Sequence, residues 1–325
     1  MNSRQRFLEC MRFGTPDRPP CFQEGLRDDV LEKWQGQGMP AGMQLEQLFD
    51  YDQREEISLD LFSRLDLADL AGTPEGLARW KRSLNPADGR RLPTGWKKDL
   101  ERWRSRQHVL MVQVHPGLFE TLGIGDGRSF TRALYLIVDQ PEFVRNAMAI
   151  HGEFAARLLE RFLKEVQVDA AVFSEPIAGN HGPLISPRTY SDLVLPAYQP
   201  VLDVLSNYGV ETVILRTYAN ARALLPVILR AGFNCLWAVE TELDAMDYRS
   251  IRQAFGSQLR LIGGIDVDVL RQGEQAIRQE IEVKVRPLLA QGGYIPLADG
   301  RVRSDMPFEN YRFYRQLLES TVKGF

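Results

Sequence analysis

The feature that most constrains this chain is a recurring unit. A short run of β-branched and apolar residues closes on a polar residue, and a segment with helical periodicity follows. "VLMVQVH" (109–115), "DAAVFSE" (169–175), "ETVILR" (211–216), "NCLWAVE" (234–240), "RLIGGID" (260–266) and "GYIPLAD" (293–299) are its clearest members. "PPCFQE" (19–24) reads as a weaker first member and "EEISLDL" (55–61) as a second. Runs that are apolar throughout, rather than alternating, indicate strands covered on both faces, as in a parallel sheet with helices outside. About eight such units in a chain of this length predict an α/β fold, a (β/α)8 TIM barrel, rather than a doubly wound open sheet.

The helical segments carry their own punctuation. "PEFVRNAMAIHGEFAARLLERFLKEV" (141–166) starts at proline, and "SPRTYSDLVLPAYQPVLDVLSNYG" (186–209) opens with Ser-Pro, with Pro196 and Pro200 expected to kink or split it. "NARALLPVILRAG" (220–232) and "GEQAIRQEIEVKVRPLLAQGG" (273–293) end at glycine. An N-terminal helix is expected from Ser3, its cap, to Phe13, with "GTPDRPP" ending it. Residues 66–105 are too long for a simple connection and predict a helical excursion within a single domain spanning 1–325. Gly-x-Gly-x-x-Gly is absent after the first strand, which weighs against dinucleotide binding. "GIGDGRS" (123–129) lacks the lysine of a phosphate loop and reads as an ordinary loop.

Composition narrows the function classes. A net charge of −3 offers no basic face for nucleic acid, and the Lys-, Arg- and Trp-rich stretch 79–106 is interspersed with acids, as in a solvated helical segment. No apolar run approaches the length that spans a bilayer, and the N-terminus lacks a signal-peptide core, so a cytoplasmic protein is expected. The three cysteines are scattered and form neither a disulfide framework nor a thiolate metal site.

In a barrel the C-terminal strand ends face one cavity. Here they carry Glu24, His115, Glu175, Arg216 with Tyr218, Glu240, Asp266, and Asp299 with Arg301. Any one of these could be a solvated turn or a helix cap, but ionisable groups close nearly every strand, and a site of mixed charge follows. Arginines can clamp a carboxylate bidentately while an acid moves a proton. Alternatively, His115 and Glu175 with a further carboxylate could hold a metal, although no His-x-His or His-Glu-x-x-His spacing supports one. His151 lies mid-helix and reads as a packing or surface residue. His181 sits on a Gly-rich loop before a capped helix, where it could transfer protons or simply order the loop.

Four segments, "NSRQRFLECMRFGTPDRPP", "EPIAGNHGPLISPRTYSDLVLPAYQPVLDVLSNYG", "LIGGIDVDVLRQGEQAI" and "PFENYRFYRQLL", carry a resemblance. In that order they are similar to the opening, the central segment and the last units of the uroporphyrinogen decarboxylase superfamily. The resemblance implies the barrel and two activity classes. One is cofactor-free decarboxylation of a polyanionic tetrapyrrole; the other is zinc-dependent methyl transfer between a corrinoid protein and an acceptor. Aligned on Asn220 and "PFEN", the zinc-binding His-x-Cys and the later Cys fall on Arg216, Tyr218 and Gly300, none of which replaces a thiolate or imidazole. The family's arginine-rich grip after the first strand reads "FQEGLR", retaining Arg27 alone.

The expectation is therefore a decarboxylase or related lyase, without metal or other cofactor, acting on a smaller carboxylate-bearing molecule. His115, Glu175, Tyr218 and Asp299 are the catalytic candidates. Arg27, His181, Arg216, Asn220, Glu240, Asp266 and Arg301 are the substrate-binding candidates. The alternatives are a methyltransferase or demethylase dependent on a corrinoid partner protein, and a non-catalytic barrel that binds a ligand or partner. A homodimer is compatible with each.

Overall fold

The computed structural model describes residues 1–65, 67, 70, 73–124, 127–241 and 244–325. Its principal elements are β1 (Arg54–Ser58), β2 (Val109–His115), β3 (Ala170–Glu175), a small hairpin of β4 (Ala178–Gly179) and β5 (Gly182–Pro183), β6 (Thr212–Tyr218), β7 (Cys235–Val239), β8 (Arg260–Ile265) and β9 (Tyr294–Ala298), with helices between them. All six of the clearest apolar runs are strands. The chain divides into two compact units. The first contains Met1–Arg54, Gln107–Val109 and Cys235–Phe325, and the second Glu55–Arg106 and Leu110–Asn234.

The second unit holds neighbouring strands in the order β1-β2-β3-β6, with β2 parallel to β3 and β3 parallel to β6. The first holds β7-β8-β9, also parallel. The architecture is α/β, with seven repeat strands among the described residues where eight were expected. The missing one is 19–24. Pro19 and Pro20 have no N–H to donate, and Cys21 gives its N–H to the Asp52 carboxylate instead of a ladder. Only one bridge forms in this region, Leu26 with Val302. The segment read as the second strand, 55–61, does form β1.

Local chemistry accounts for the helices. Asn2, not Ser3, caps the first (Ser3–Met11) in a reciprocal box with Gln5, while the Ser3 hydroxyl accepts the Gln53 N–H. Helix Pro141–Leu163 begins at proline as expected. The next segment splits into Pro187–Leu193 and Leu195–Asn207, because Pro196 cannot donate to the turn before it. Gly152 lets helix Leu195–Asn207 lie close against Pro141–Leu163: a Cβ there would meet the Ala197 carbonyl oxygen at 1.8 Å.

The helical excursion of 66–105 includes residues 66, 68, 69, 71 and 72, which lie outside the described residues, as do 125 and 126 of the loop read at 123–129. The described part contains helices Pro74–Ser83 and Leu100–Arg104 and two single 3-10 turns. It is not solvated throughout. Arg91 is buried and donates to the carbonyls of Asp60, Phe62 and Ser83 at 2.7–2.9 Å, pinning the excursion to the strand-end loop. No described helix is long and apolar enough to cross a membrane.

Candidate functional site

The second unit contains His115, Glu175, His181, Arg216, Tyr218 and Asn220. A register shift between Gln113 and His115 leaves Val114 as an extra residue and re-aims the end of β2. His115 is consequently sealed from solvent. Its Nδ1 accepts the Gly117 N–H at 3.0 Å, so the ring proton sits on Nε2, which faces His151 Nδ1 at 2.9 Å. His151 is then protonated on Nε2 and donates to the Leu61 carbonyl at 2.8 Å. The bonds run in one direction and are complete only with both rings neutral. Burial agrees with that: it pushes His115 well below the usual histidine range and His151 down to about 4. His115, expected as a proton donor to a substrate, has both nitrogens engaged and no exposed surface in this arrangement. It positions the turn after β2.

That turn also serves Glu175. Leu118 N–H donates to Glu175 Oε1 at 3.0 Å, and the Tyr190 hydroxyl to Oε2 at 3.0 Å, with Tyr198 on the same oxygen. Gly117 adopts φ 95°, and a Cβ there would meet the Ser174 carbonyl oxygen at 2.5 Å and Glu175 Oε1 at 2.8 Å, so a side chain is excluded. The carboxyl is fully buried with no cation paired to it among the described residues, and desolvation raises its pKa despite the three hydrogen bonds. Glu175 therefore touches protein groups on every side in this arrangement. Its hydrogen bonds hold β3, the post-β2 turn and the split helix together.

Arg216 and Tyr218 are the half-open residues of β6, alternating with buried Thr217. Ser174 is the register partner of Arg216 on β3. The guanidinium of Arg216 is held by Glu56 of β1 in a fork-to-fork pair, Nη1 to Oε1 at 2.9 Å and Nη2 to Oε2 at 2.5 Å. The arginine expected to await a ligand anion thus already grips an internal one. Ala219 follows with φ 50°, a conformation uncommon outside glycine, at the seam of strand and turn. Asn220 donates its N–H to the Gly179 carbonyl at 3.2 Å, and its side-chain oxygen accepts the Arg222 N–H, so it latches the β4–β5 hairpin. His181 is exposed at that hairpin's two-residue tip.

The first unit contains Arg27, Glu240, Asp266, Asp299 and Arg301. Asp299, after β9, accepts from Thr241 N–H at 2.9 Å, the Thr241 hydroxyl at 2.6 Å and Val267 N–H at 3.1 Å. Desolvation raises its pKa. It ties the turns after β7 and β8 to β9, and its oxygens are occupied. Asp266 accepts from Asp268 N–H, forming an Asx turn, and its own N–H bonds Glu280. Glu240 stands at φ 45° with its carboxylate half exposed between Arg27 at 3.6 Å and Arg303 at 3.4 Å. Arg301 folds onto the Leu26 carbonyl. Glu24 lies in a closed cluster with Tyr311, Tyr314 and Arg315.

Residues 123–319, more than half of the chain, match the uroporphyrinogen decarboxylase (URO-D) family. The chain belongs to that family. No curated protein matches it. Among solved structures, a methyltransferase from Methanosarcina mazei has a similar fold, with TM-score 0.59 and 13% identity over 98% of this chain and 99% of the other. A phosphonopyruvate hydrolase in complex with oxalate and Mg++ overlays at TM-score 0.32 and 10% identity over 92% and 81%, too loosely to bear on the fold.

In this URO-D family member the positions aligned with a zinc site do not fit zinc. Arg216 is a cation paired with Glu56, Tyr218 carries a phenol, and Gly300 has no side-chain ligand atom. Among the described residues no three His, Cys, Asp or Glu side chains are placed to hold a metal. Sequence reasoning missed Glu56, His151, Tyr190 and Tyr198 as site-building groups. The available signal was modest: Tyr190 and Tyr198 are eight residues apart, the spacing of one helical face.

Proposed function

We propose that this URO-D family chain is an enzyme acting on a small carboxylate-bearing molecule, with Arg216 as its anion anchor. The Arg216–Glu56 fork carries the reading. It presents a guanidinium already oriented for a carboxylate, and a substrate carboxylate can take the place of Glu56 without moving the cation. The anchored carboxylate is the one that stays. A bidentate arginine stabilises the anion, so a carboxylate leaving as CO2 has to be a different group on the same molecule. The electron pair left on carbon then needs a proton. Tyr218, two residues along the same face of β6, is the acid we assign, its phenolate being reprotonated by water. The reading uses no bound metal.

A second reading, corrinoid-dependent methyl transfer, draws support from the full-length similarity in fold to the M. mazei methyltransferase. It requires a corrinoid partner protein for any turnover, whereas decarboxylation requires none.

Calorimetric titration with a panel of di- and tricarboxylic acids tests the anchor. Arg216→Gln is expected to abolish binding, and Glu56→Gln to tighten it about tenfold, about 1.4 kcal/mol, by removing the internal competitor. Absence of carboxylate binding, or binding indifferent to both substitutions, would overturn the proposal. CO2 release by the protein alone favours the lyase. Turnover only with an added methyl-corrinoid protein favours methyl transfer, and binding without turnover favours a ligand-binding barrel.

A further inference from the structure

The charged excursion contains a site that the proposed function does not use. Helix Pro74–Ser83 and the chain just after it turn Leu77, Lys81 and Leu84 toward helix Pro141–Leu163, which answers with Ile150, Phe154 and Arg157. Both sets follow helical spacing, so two stripes face one another. They do not close: a groove of about 400 Å³ remains between them, within the range of small-molecule sites. Leu84 and Phe154 are buried, while Ile150 is half-buried and Ala149 exposed, so apolar surface is left uncovered along the groove. Pro86 stands at one end, where Arg161 donates to its carbonyl.

The rim charges are unequal. Glu153 pairs with Arg157 at 3.7 Å one helical turn away. Lys81 has no ion-pair partner among the described residues. The groove therefore combines an apolar trough with one uncompensated ammonium, and this selects an amphipathic anion: chain in the trough, head group on the lysine. We propose that this inter-helix groove binds a free medium-chain alkanoate, its carboxylate at Lys81 and its methylene chain along Leu77, Leu84, Ile150 and Phe154. No covalent step is involved.

The test is calorimetry of decanoate with the full chain, below the concentration at which decanoate micellises. One saturable site per chain is expected, with acetate showing no competition because it lacks the chain. Lys81→Glu is expected to weaken decanoate at least tenfold. Ala149→Glu, on exposed helix where the fold tolerates it, should do the same by placing charge and bulk in the trough; circular dichroism checks that both variants fold. Arg216→Gln should retain decanoate binding, which separates this site from the anchor above. No saturable binding, full competition by acetate, or wild-type affinity in both groove variants would overturn the proposal.

Discussion

Glu24 in the first unit and Glu175 in the second are both sealed from solvent, and each accepts hydrogen bonds from two tyrosine hydroxyls. They differ in the third partner. Glu24 has the buried guanidinium of Arg315 at 3.2 Å, itself stacked over Tyr51 at 4.2 Å. Among the described residues Glu175 has the Leu118 amide in that place. The tyrosines of Glu24 and its arginine come from one face of a single helix, Phe308–Lys323, at positions 311, 314 and 315. Those of Glu175 come from the two halves of a broken helix, next to a positive-φ glycine turn and a pair of neutral histidines. Similar phenol ligands thus build a structural ion pair in one place and, in the other, a carboxyl whose charge is held at a cost. A buried carboxylate at a strand end is therefore not evidence of catalysis by itself; the charge balance around it has to be read first.

Glu24→Gln puts the largest strain on this contrast. It leaves Arg315 buried beside an amide and should destabilise the protein by about 3–5 kcal/mol in urea unfolding. A loss below about 1 kcal/mol would mean that the cluster is not an ion pair in energetic terms, and the contrast with Glu175 would lapse.

The sequence made one side of this contrast more legible than the other. The six strands were visible because they are apolar on both faces, a pattern that survives any detail of packing. The strand expected at 19–24 misled because its apolar content hid two prolines and an amide committed to Asp52. Arg216 was recognisable as a strand-end cation, but its partner lies 160 residues away, in a strand whose pattern was doubtful. His151 carried no sign of its task, since helical spacing says which face a histidine is on and not what it meets. The meeting with His115 depends on a bulge at Val114, and a one-residue register shift leaves no signature in composition.

The histidine pair gives the next prediction, intermediate in size. His151 titrates at about 4 in the folded protein against 6.5 for the ordinary side chain, so the folded state binds fewer protons in that window. Its contribution to stability is complete above pH 6.5 and is lost as pH falls from 6.5 toward 4, roughly 3 kcal/mol in all. His115 shifts in the same direction and adds to the loss. His151→Gln keeps an acceptor for His115 Nε2 and a donor for the Leu61 carbonyl but cannot titrate. Unfolding free energy measured across this range should fall less steeply in the variant, and an unchanged slope would show that the pair is not held neutral.

Glu175→Gln should produce the smallest change, and its sign is the informative part. The pKa of Glu175 is raised above the ordinary carboxyl value of 4.5, chiefly by desolvation, so the folded state holds more protons than the unfolded one above that pH. Its contribution to stability is fully present below pH 4.5 and declines as pH rises through the raised value, opposite in direction to the histidines. Glutamine keeps an oxygen for the Leu118 amide and offers its NH2 to the two tyrosine hydroxyls, which can turn to accept. At neutral pH the variant should be as stable as the wild type or more stable by about 1 kcal/mol, and the difference should vanish near pH 4. Glu24→Gln should show no such gain at any pH. Should Glu175→Gln instead cost several kcal/mol at pH 7, Glu175 would belong with Glu24 as a paired structural anion. An unrecognised cation would then have to be sought beside it.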